Sequence, residues 1–432
     1  MYNKKKIVFF QRLIYRYFFR NNFIKNISIL LVGSGIAQLV SILAAPLLSR
    51  LYSPDDFGKL GIILSFVSLF TVVSNLRYEL AIVLPKENNI SKIILFSSLF
   101  INFLFCLTLT LLLLLFKGFI NNYISFNYSV IALISSLVFL NGTFNNFSYF
   151  FVKREDFKTN SYSNISRSLF TIIPQISFGF FSFGFIGLLF GQIIGRVISF
   201  SYFVRKLLKT KLNFKQFISR KRFLYVVKKY KNFPLYSTPQ ALLNSVALNS
   251  PIYILGFYFS SEIVGLYWFA ERLLKLPVNF LSSSLRQVFF QRANQNYNSR
   301  ISNSKLLKKT TLILATVGII PLFFLFFFGH EIFEFFFGQK WIIAGDYAKW
   351  IGLAWYGIFL NSPSVMILQV YKLQKFYLYY EVVFSVAKIF ALIYGGLQEK
   401  PILSIAIYSI ITFCFNFFLV FATHSKIKLS EK

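Results

Sequence analysis

The chain is 432 residues long, and 56% of its residues are apolar, 20% are aromatic and only 14% are charged. Because a soluble protein carries about 25% charged residues, this composition excludes an ordinary soluble enzyme, a disordered chain and a collagen-like chain. It predicts a polytopic membrane protein. The formal net charge is +32, which suits a nucleic-acid partner unless membrane topology explains it. With only two cysteines and two histidines, neither a disulfide scaffold nor a structural metal site is expected.

The first 26 residues are basic and lack the apolar core and small-residue cleavage site of a signal peptide. Arg12, Arg16 and Arg20 can meet anionic headgroups while five apolar side chains lie in the lipid interface. These five are Phe9, Phe10, Leu13, Tyr17 and Phe18. We therefore expect residues 1–26 to form a retained cytoplasmic segment.

Twelve stretches that are long and apolar enough to cross a bilayer follow along the chain, since a crossing helix needs about 20 such residues. They are 27–49, 57–83, 93–116, 128–151, 160–181, 184–204, 233–259, 262–291, 309–329, 341–371, 376–394 and 401–423. The strict alternation of barrel strands is missing from them. The sequence therefore predicts an all-α integral membrane fold with twelve transmembrane helices.

The positive charges are distributed unevenly between the two ends of these spans. With the N-terminus placed in the cytoplasm, 33 of the 46 Lys and Arg residues fall on the cytoplasmic side, four on the opposite side and nine inside spans. The positive-inside rule predicts this asymmetry for twelve spans with both termini in the cytoplasm. Topology therefore explains most of the net charge, and a nucleic-acid partner is not expected.

A basic linker at 205–232 divides the spans into two groups of six. We expect an N-terminal bundle at 27–204, a C-terminal bundle at 233–424 and a cytoplasmic tail at 425–432. Because each half has an even number of spans, the halves point the same way across the membrane. They are expected to be pseudo-symmetric about an axis along the membrane normal and to form a V with a central cavity.

A faint repeat supports the relation between the halves. Tyr-Ser-Pro-Asp-Asp-Phe-Gly at 52–58 matches Phe-Ser-Ser-Glu-Ile-Val-Gly at 259–265 with a constant offset of 207. In both segments, Ser and the acidic residue are placed to cap the N-terminus of the next helix. We expect equivalent helix starts at these two places.

Apart from Glu262 and Lys309, which are the first residues of their spans, thirteen charged side chains lie inside the predicted spans, where they are costly unless they face a hydrated interior. They are Lys59, Arg77, Arg167, Arg196, Arg272, Lys275, Arg286, Lys349, Lys388, Glu79, Glu271, Asp346 and Glu381. This basic excess calls for an anion, and arginine forks suit phosphate especially well. The deeper residues, which are Arg167, Arg196, Arg272 and Lys275, are expected to line a cavity for an anionic, phosphate-bearing cargo.

Some of these charges have simpler interpretations. Lys59, Arg286 and Lys388 lie near span ends, where they can snorkel to the interface. Asp346 and Lys349 can form a local i, i+3 ion pair. Arg77 and Glu79 are two residues apart and share a face only if the helix breaks there; an interbundle ion pair or an interfacial anchor is their simpler role.

Several sequence segments resemble the polysaccharide-unit flippases. Pro-Leu-Leu-Ser-Arg-Leu-Tyr-Ser-Pro-Asp-Asp-Phe-Gly at 46–58 and Leu-Arg-Tyr-Glu-Leu-Ala-Ile-Val-Leu-Pro at 76–85 are similar to their first two spans. Gly-Leu-Leu-Phe-Gly-Gln at 187–192 is similar to their sixth. Their spans 7 and 8 are similar to Pro-Leu-Tyr-Ser-Thr-Pro-Gln at 234–240 and to the Gly-Leu-Tyr and Arg-Leu-Leu-Lys-Leu-Pro that follow it. The start of their span 10 is similar to Phe-Gly-Gln-Lys-Trp-Ile-Ile-Ala-Gly at 337–345. The chain is identified as a member of the Wzx-type O-antigen and capsule flippases, within the multidrug/oligosaccharidyl-lipid/polysaccharide exporter superfamily.

This resemblance implies a function in the bacterial inner membrane. Members move undecaprenyl-diphosphate-linked oligosaccharides from the cytoplasmic to the periplasmic leaflet, through a cationic cavity between two six-helix bundles. Because they lie in the matching motifs, Arg50, Arg77, Glu79 and Arg272 are expected to be site residues. The resemblance implies membrane lipid and other polysaccharide-assembly membrane proteins as partners. A transporter of this kind needs no covalent step, so neither an enzyme activity nor a cofactor or metal is expected.

Ion coupling and two other functions stay open from the sequence. H⁺ or Na⁺ could be coupled at Glu79 or Glu271, because a partly desolvated carboxylate titrates near neutrality; Arg272 beside Glu271 weakens the second assignment. A multidrug or cation antiporter would need an acidic or aromatic cavity, which the basic excess opposes. A polysaccharide polymerase or ligase usually carries a large periplasmic loop, whereas the longest predicted outer loops here are about 11 residues.

Overall fold

The computed structural model describes residues 22–116, 128–209, 219–371 and 373–430. In these residues the regular structure is helical, and each predicted span contains one long α-helix. The helices are α1 (Asn22–Leu51), α2 (Pro54–Ser74), α3 (Asn88–Leu115), α4 (Tyr128–Lys153), α5 (Phe157–Phe180), α6 (Gly184–Leu208), α7 (Arg220–Lys229), α8 (Thr238–Tyr258), α9 (Ser261–Asn298), α10 (Ser304–Phe337), α11 (Ile342–Val370), α12 (Gln374–Leu397) and α13 (Pro401–Ser430). The all-α fold expected from the composition is thus confirmed. Of the cytoplasmic segment expected at residues 1–26, residues 1–21 lie outside the described residues.

Ten of the twelve long helices are apolar enough by composition to cross a membrane, among the described residues. The other two are α5 and α9, which carry Arg167 and the charged group Glu271, Arg272 and Lys275. A membrane helix tolerates such residues when they face a polar interior and not acyl chains. The two least apolar long helices therefore carry half of the eight predicted site residues.

The two repeat segments begin their helices in equivalent ways. At the start of α2, the Ser53 hydroxyl accepts the Asp56 N–H at 3.2 Å, and the Asp56 carboxylate accepts the Ser53 N–H at 3.0 Å. This reciprocal pair is a capping box. At the start of α9, Ser260, which is Ser53 plus 207, accepts the Ile263 N–H at 3.4 Å. The predicted capping role of both serines is confirmed.

The described chain forms two compact units. The first consists of the described residues up to Ala44 with Phe66–Phe178 and Ile186–Ser245. The second consists of Ala45–Ser65, Gly179–Phe185 and the described residues from Val246 onward. The division into bundles at 27–204 and 233–424 stays a prediction.

Within the second unit, the two repeat segments pack against each other through their glycines. A Cβ added to Gly58 would meet the Ser261 carbonyl oxygen and lie 3.0 Å from the Gly265 nitrogen. A Cβ added to Gly265 would meet the Pro54 carbonyl oxygen and lie 2.8 Å from the Gly58 nitrogen. The offset of 207 relates Gly58 to Gly265 and Pro54 to Ser261. The two contacts are therefore equivalent, and the contact has a local twofold symmetry. Only glycine permits this approach of two helix starts.

Aromatic side chains from α2, α9 and the segment before α11 fill the core beside this contact. The Phe57 ring lies 5.2 Å from that of Phe269 and 5.3 Å from that of Trp341, and all three are buried. The Trp341 indole N–H donates to the Ser49 carbonyl at 2.9 Å. Edge-to-face packing of this kind adds to the hydrophobic burial, and it fixes the ends of α1, α2, α9 and α10 to one another.

The chain breaks where one uninterrupted span over 57–83 was expected. Helix α2 ends at Ser74, Leu76 and Arg77 adopt left-handed backbone angles (φ 47° and 60°), and a 3₁₀ helix covers Tyr78–Val83. Two successive left-handed residues cannot continue an α-helix. The prediction of a continuous second span is therefore wrong. Because the helix breaks here, Arg77 and Glu79 can lie on one side of the chain and form an ion pair.

The linker contains a helix that was not predicted. Helix α7 packs Val226, which is fully buried, into an apolar cluster of the first unit. That cluster joins the 3₁₀ helix to the ends of α3, α4 and α6 through Tyr78, Ile82, Leu95, Phe150, Phe151 and Phe203. Residues 210–218 of the linker lie outside the described residues.

Candidate functional site

Close packing of α5 against α6 positions two arginines of the first unit. Gly191 and Gly195 on α6 face α5, and a Cβ on Gly195 would lie 2.6 Å from the Arg167 carbonyl oxygen. Small residues four apart let membrane helices approach at backbone distance. The Gln175 amide then donates to the Leu188 carbonyl at 2.9 Å. Arg167 and Arg196 extend from these tightly joined helices.

Arg196 is held by neutral acceptors. Its Nε donates to Asn141 Oδ1 of α4 at 2.5 Å, and its Nη1 donates to the Gln192 side-chain oxygen at 2.5 Å and to the Gln192 carbonyl at 3.0 Å. These bonds orient the guanidinium without neutralising it. Its charge is therefore available to an anion.

Arg167 adds a second positive charge beside Arg196. Its Cζ lies 4.6 Å from the centroid of the Phe144 ring, a cation–π contact. The two guanidiniums are near enough for their charges to repel each other. Among the described residues, neither has a carboxylate within 4.0 Å. Two half-buried cations of this kind can together attract a multiply charged anion.

A second cationic cluster lies on α9 in the second unit. The Arg272 Cζ lies 5.4 Å from the Trp268 ring centroid, and the Lys275 Nζ lies 5.8 Å from that of Trp355 on α11. Neither cation forms an ion pair within 4.0 Å in the part of the chain that the structure describes. Glu271 is near enough to Lys275 for their charges to interact. Glu271, Arg272 and Lys275 thus lie together on α9, and tryptophan rings contact the two cations.

Arg77 and Glu79 form a separate pair beyond the end of α2. Arg77 Nη1 lies 3.2 Å from Glu79 Oε1, and the Glu79 side chain is 3% exposed against 28% for Arg77. Burial raises the pKa of Glu79 above its ordinary value, although Arg77 opposes this shift. Within the part of the chain that the structure describes, its second oxygen, Oε2, has no hydrogen-bond partner. Because its ionised form lacks full solvation here, Glu79 is suited to binding a proton or a small cation.

Other predicted charges have local roles. Arg50 is exposed in the last turn of α1, where a positive charge is favourable for the helix dipole. Lys59 pairs with Asp55 at 2.6 Å. The predicted Lys349–Asp346 ion pair is present at 3.0 Å, and His330 joins it at 3.3 Å. Arg50 belongs to the second unit, whereas Arg77 belongs to the first unit and pairs there with Glu79.

Four site residues were missing from the sequence-based prediction. Asn141 and Gln192 hold Arg196, and Trp268 and Trp355 underlie Arg272 and Lys275. A signal existed for two of them, because Gln192 and Trp268 each lie four residues before the cation that they contact and share its helix face. Asn141 and Trp355 are brought in by other helices and left no sequence signal.

A model of one protein family, described as "Polysaccharide biosynthesis protein", matches residues 47–344. This match spans most of the chain, from the end of α1 to the start of α11. The chain belongs to this family of polysaccharide biosynthesis proteins. The resemblance read from its motifs is therefore confirmed. A search of curated protein sequences gave no match.

Solved structures of transporters and flippases share the fold. The lipid II flippase MurJ in an inward closed conformation superposes with a TM-score of 0.72 at 16% identity, over 93% of this chain and 90% of its own. A transporter of the MOP superfamily from Pyrococcus furiosus gives 0.60 at 13% identity, over 94% and 96%. An inward-facing multidrug resistance transporter of the MATE family gives 0.59 at 13% identity, over 90% and 96%. The predicted fold, that of the MOP-superfamily transporters, is confirmed.

Proposed function

We propose that this family member is a flippase that moves undecaprenyl-diphosphate-linked oligosaccharide units, of O-antigen or capsule, from the cytoplasmic to the periplasmic leaflet of the bacterial inner membrane. The observation that supports this proposal best is the Arg167–Arg196 pair. These two cations are joined to neutral partners only, so an anion has to supply their counter-charge. A diphosphate offers two negative charges and several acceptor oxygens to such a pair.

The protein's task in this proposal is to lower a desolvation barrier. A phosphate that crosses hydrocarbon alone loses its hydration without compensation, at a prohibitive cost. Hydrogen bonds from guanidinium groups replace that hydration while the polyprenyl chain stays in lipid. Arg272 and Lys275 serve the same cargo in the second unit, and the aromatic rings of Trp268 and Trp355 suit contact with sugar faces.

The membrane potential supplies a driving force for export. Outward movement of each negative charge is favoured by roughly 2.3 kcal/mol per 100 mV when the cytoplasm is negative. Two phosphate charges can therefore drive transport without a coupled ion. Where an ion is coupled, we propose H⁺ or Na⁺ at Glu79, whose unpartnered Oε2 is buried, with Glu271 as the alternative. The transport cycle proposed is alternating access.

The experiment replaces Arg196 in a host whose own copy has been deleted. Arg196→Gln keeps a polar side chain and removes the charge; Arg205→Gln removes an exposed charge from the same helix and is the matched control. We expect surface polysaccharide and its lipid-linked precursor in the periplasmic leaflet to fall at least tenfold for Arg196→Gln, with normal protein level. The control should keep both.

The pair Arg272→Gln and Arg292→Gln tests the second cluster in the same way, because Arg292 is exposed on α9. Normal polysaccharide from both Arg196→Gln and Arg272→Gln would contradict the proposal. Loss of precursor synthesis in the deletion strain, in place of its accumulation in the cytoplasmic leaflet, would favour a polymerase or ligase. Transport of cationic drugs that needs Arg196 would favour the multidrug antiporter.

A further inference from the structure

Helix α7 is a short linker helix that is firmly attached to the first unit. Val226 is fully buried, and the Phe223 ring packs edge to face on Phe100 of α3 at 5.7 Å. The Tyr78 hydroxyl reaches the Val227 carbonyl at 3.5 Å. The side chains of Phe223 and Val226, three residues apart on one helix face, fix how α7 is rotated about its axis.

These contacts place α7 on the outer flank of α3. Phe100 is twelve residues into that helix, about 18 Å from its start. It begins an exposed apolar stripe that continues through Phe103, Leu104, Leu107, Leu111, Leu114 and Leu115. In a membrane protein such a stripe faces acyl chains. Helix α7 therefore lies beside one end of this exposed apolar stripe.

The opposite face of α7 is cationic and partly apolar. Six basic residues are exposed on it and directly after it, with no acidic residue from 219 to 237: Arg220, Lys221, Arg222, Lys228, Lys229 and Lys231. Leu224 and Tyr225 lie among them and are 44% and 45% exposed. Glu87 is the acidic group whose charge reaches Lys229. Basic residues interleaved with exposed apolar ones are typical of interfacial membrane helices.

We propose that the exposed face of α7 binds the headgroups of anionic phospholipids in the leaflet around the first unit. The basic side chains meet phosphate, and Leu224 and Tyr225 insert at the acyl boundary. Charge complementarity selects this partner, because anionic lipids concentrate at membrane surfaces and attract basic segments within a Debye length. The proposal goes beyond the flippase function and does not depend on its cargo.

The test uses the full chain in nanodiscs made either of phosphatidylcholine alone or of equal parts phosphatidylcholine and phosphatidylglycerol. Hydrogen–deuterium exchange of peptides covering 219–232 is measured in each. We expect exchange of these amides to be roughly tenfold slower with phosphatidylglycerol. The difference should disappear near 0.5 M salt, where screening shortens the range of the interaction to a few ångströms.

A charge variant with a matched control localises the effect. Replacing Lys221, Arg222, Lys228 and Lys229 with Gln should abolish the dependence on phosphatidylglycerol. Replacing Arg300, Lys305, Lys308 and Lys309, which are also exposed, should leave it intact. Equal exchange of wild-type 219–232 in both lipids would overturn the proposal, whatever the variants do. Equal loss in the control variant would overturn it too, since the effect would then be one of net charge.

Discussion

The neutral partner of Arg196 gives the sharpest test of how the site works. Asn141→Asp changes one side-chain nitrogen to oxygen and keeps the shape of the residue. It puts a carboxylate where Arg196 Nε now finds an amide oxygen at 2.5 Å. The guanidinium then has a permanent counter-charge and no longer needs the cargo. We expect transport to be lost although the helix packing is preserved.

The size of this effect follows from the geometry. With charge centres about 4 Å apart and an effective dielectric constant near 20, an ion pair contributes about 4 kcal/mol. An anion that competes with this carboxylate is bound roughly a thousandfold more weakly. A reduction of this size exceeds what one hydrogen bond explains, which is about 1.5–3 kcal/mol even to a charged group.

Transport is measured as surface polysaccharide and as precursor in each leaflet, in the deletion host that carries the variant. Asn89→Asp is the control, because Asn89 is exposed and accepts from Lys92 at 3.4 Å. It makes the same chemical change beside a cation that has no proposed role. Normal transport by Asn141→Asp at a normal protein level would refute the reasoning, since it would show that an uncompensated Arg196 is not required.

Three further predictions concern other parts of the chain. Gln192→Glu should reproduce the transport defect of Asn141→Asp, because Gln192 Oε1 also lies 2.5 Å from Arg196; full activity in the same polysaccharide assay would contradict this. Gly58→Ala should destabilise the protein by about 1–3 kcal/mol through overpacking, measured by thermal unfolding in detergent. Gly256→Ala is its control, since a Cβ there has its nearest neighbour at an ordinary 3.5 Å, and an equal loss in both would count against the glycine contact. Burial raises the pKa of Glu79, so the folded state binds its proton more tightly than the unfolded chain does. The stabilisation that results is present at low pH and is lost as the pH rises through the folded-state pKa. Glu79→Gln should remove this loss and unfold at a higher temperature than wild type at pH 8 but not at pH 4; parallel curves at both pH values would refute it.

Local features of the chain were readable from the sequence because they depend on neighbours along it. The twelve long helices follow from apolar runs of the required length, and the helix starts at Ser53 and Ser260 follow from cap chemistry within three residues. The Asp346–Lys349 pair follows from helical spacing. The motifs also identified the family, because they follow one another in order along most of the chain.

Features that depend on contacts between distant segments required the tertiary structure. The sequence predicted an unbroken span over 57–83, whereas packing of the 3₁₀ helix and of Val226 around Tyr78 stabilises left-handed residues at its end. Helix α7 was missed because ten mostly basic and aromatic residues are too few to be stable without the core that they join.

The chemistry of the site divides in the same way. Composition and depth alone determined that arginines and lysines lie within the spans and that they exceed the acidic residues there. Only the folded chain decided that the partner of Arg196 is Asn141, 55 residues away, and not a carboxylate, and that Gly58 and Gly265 meet. The physical reason is that burial and spacing are properties of one helix, whereas the balance of charge at a buried site is set by whichever side chains the neighbouring helices bring to it.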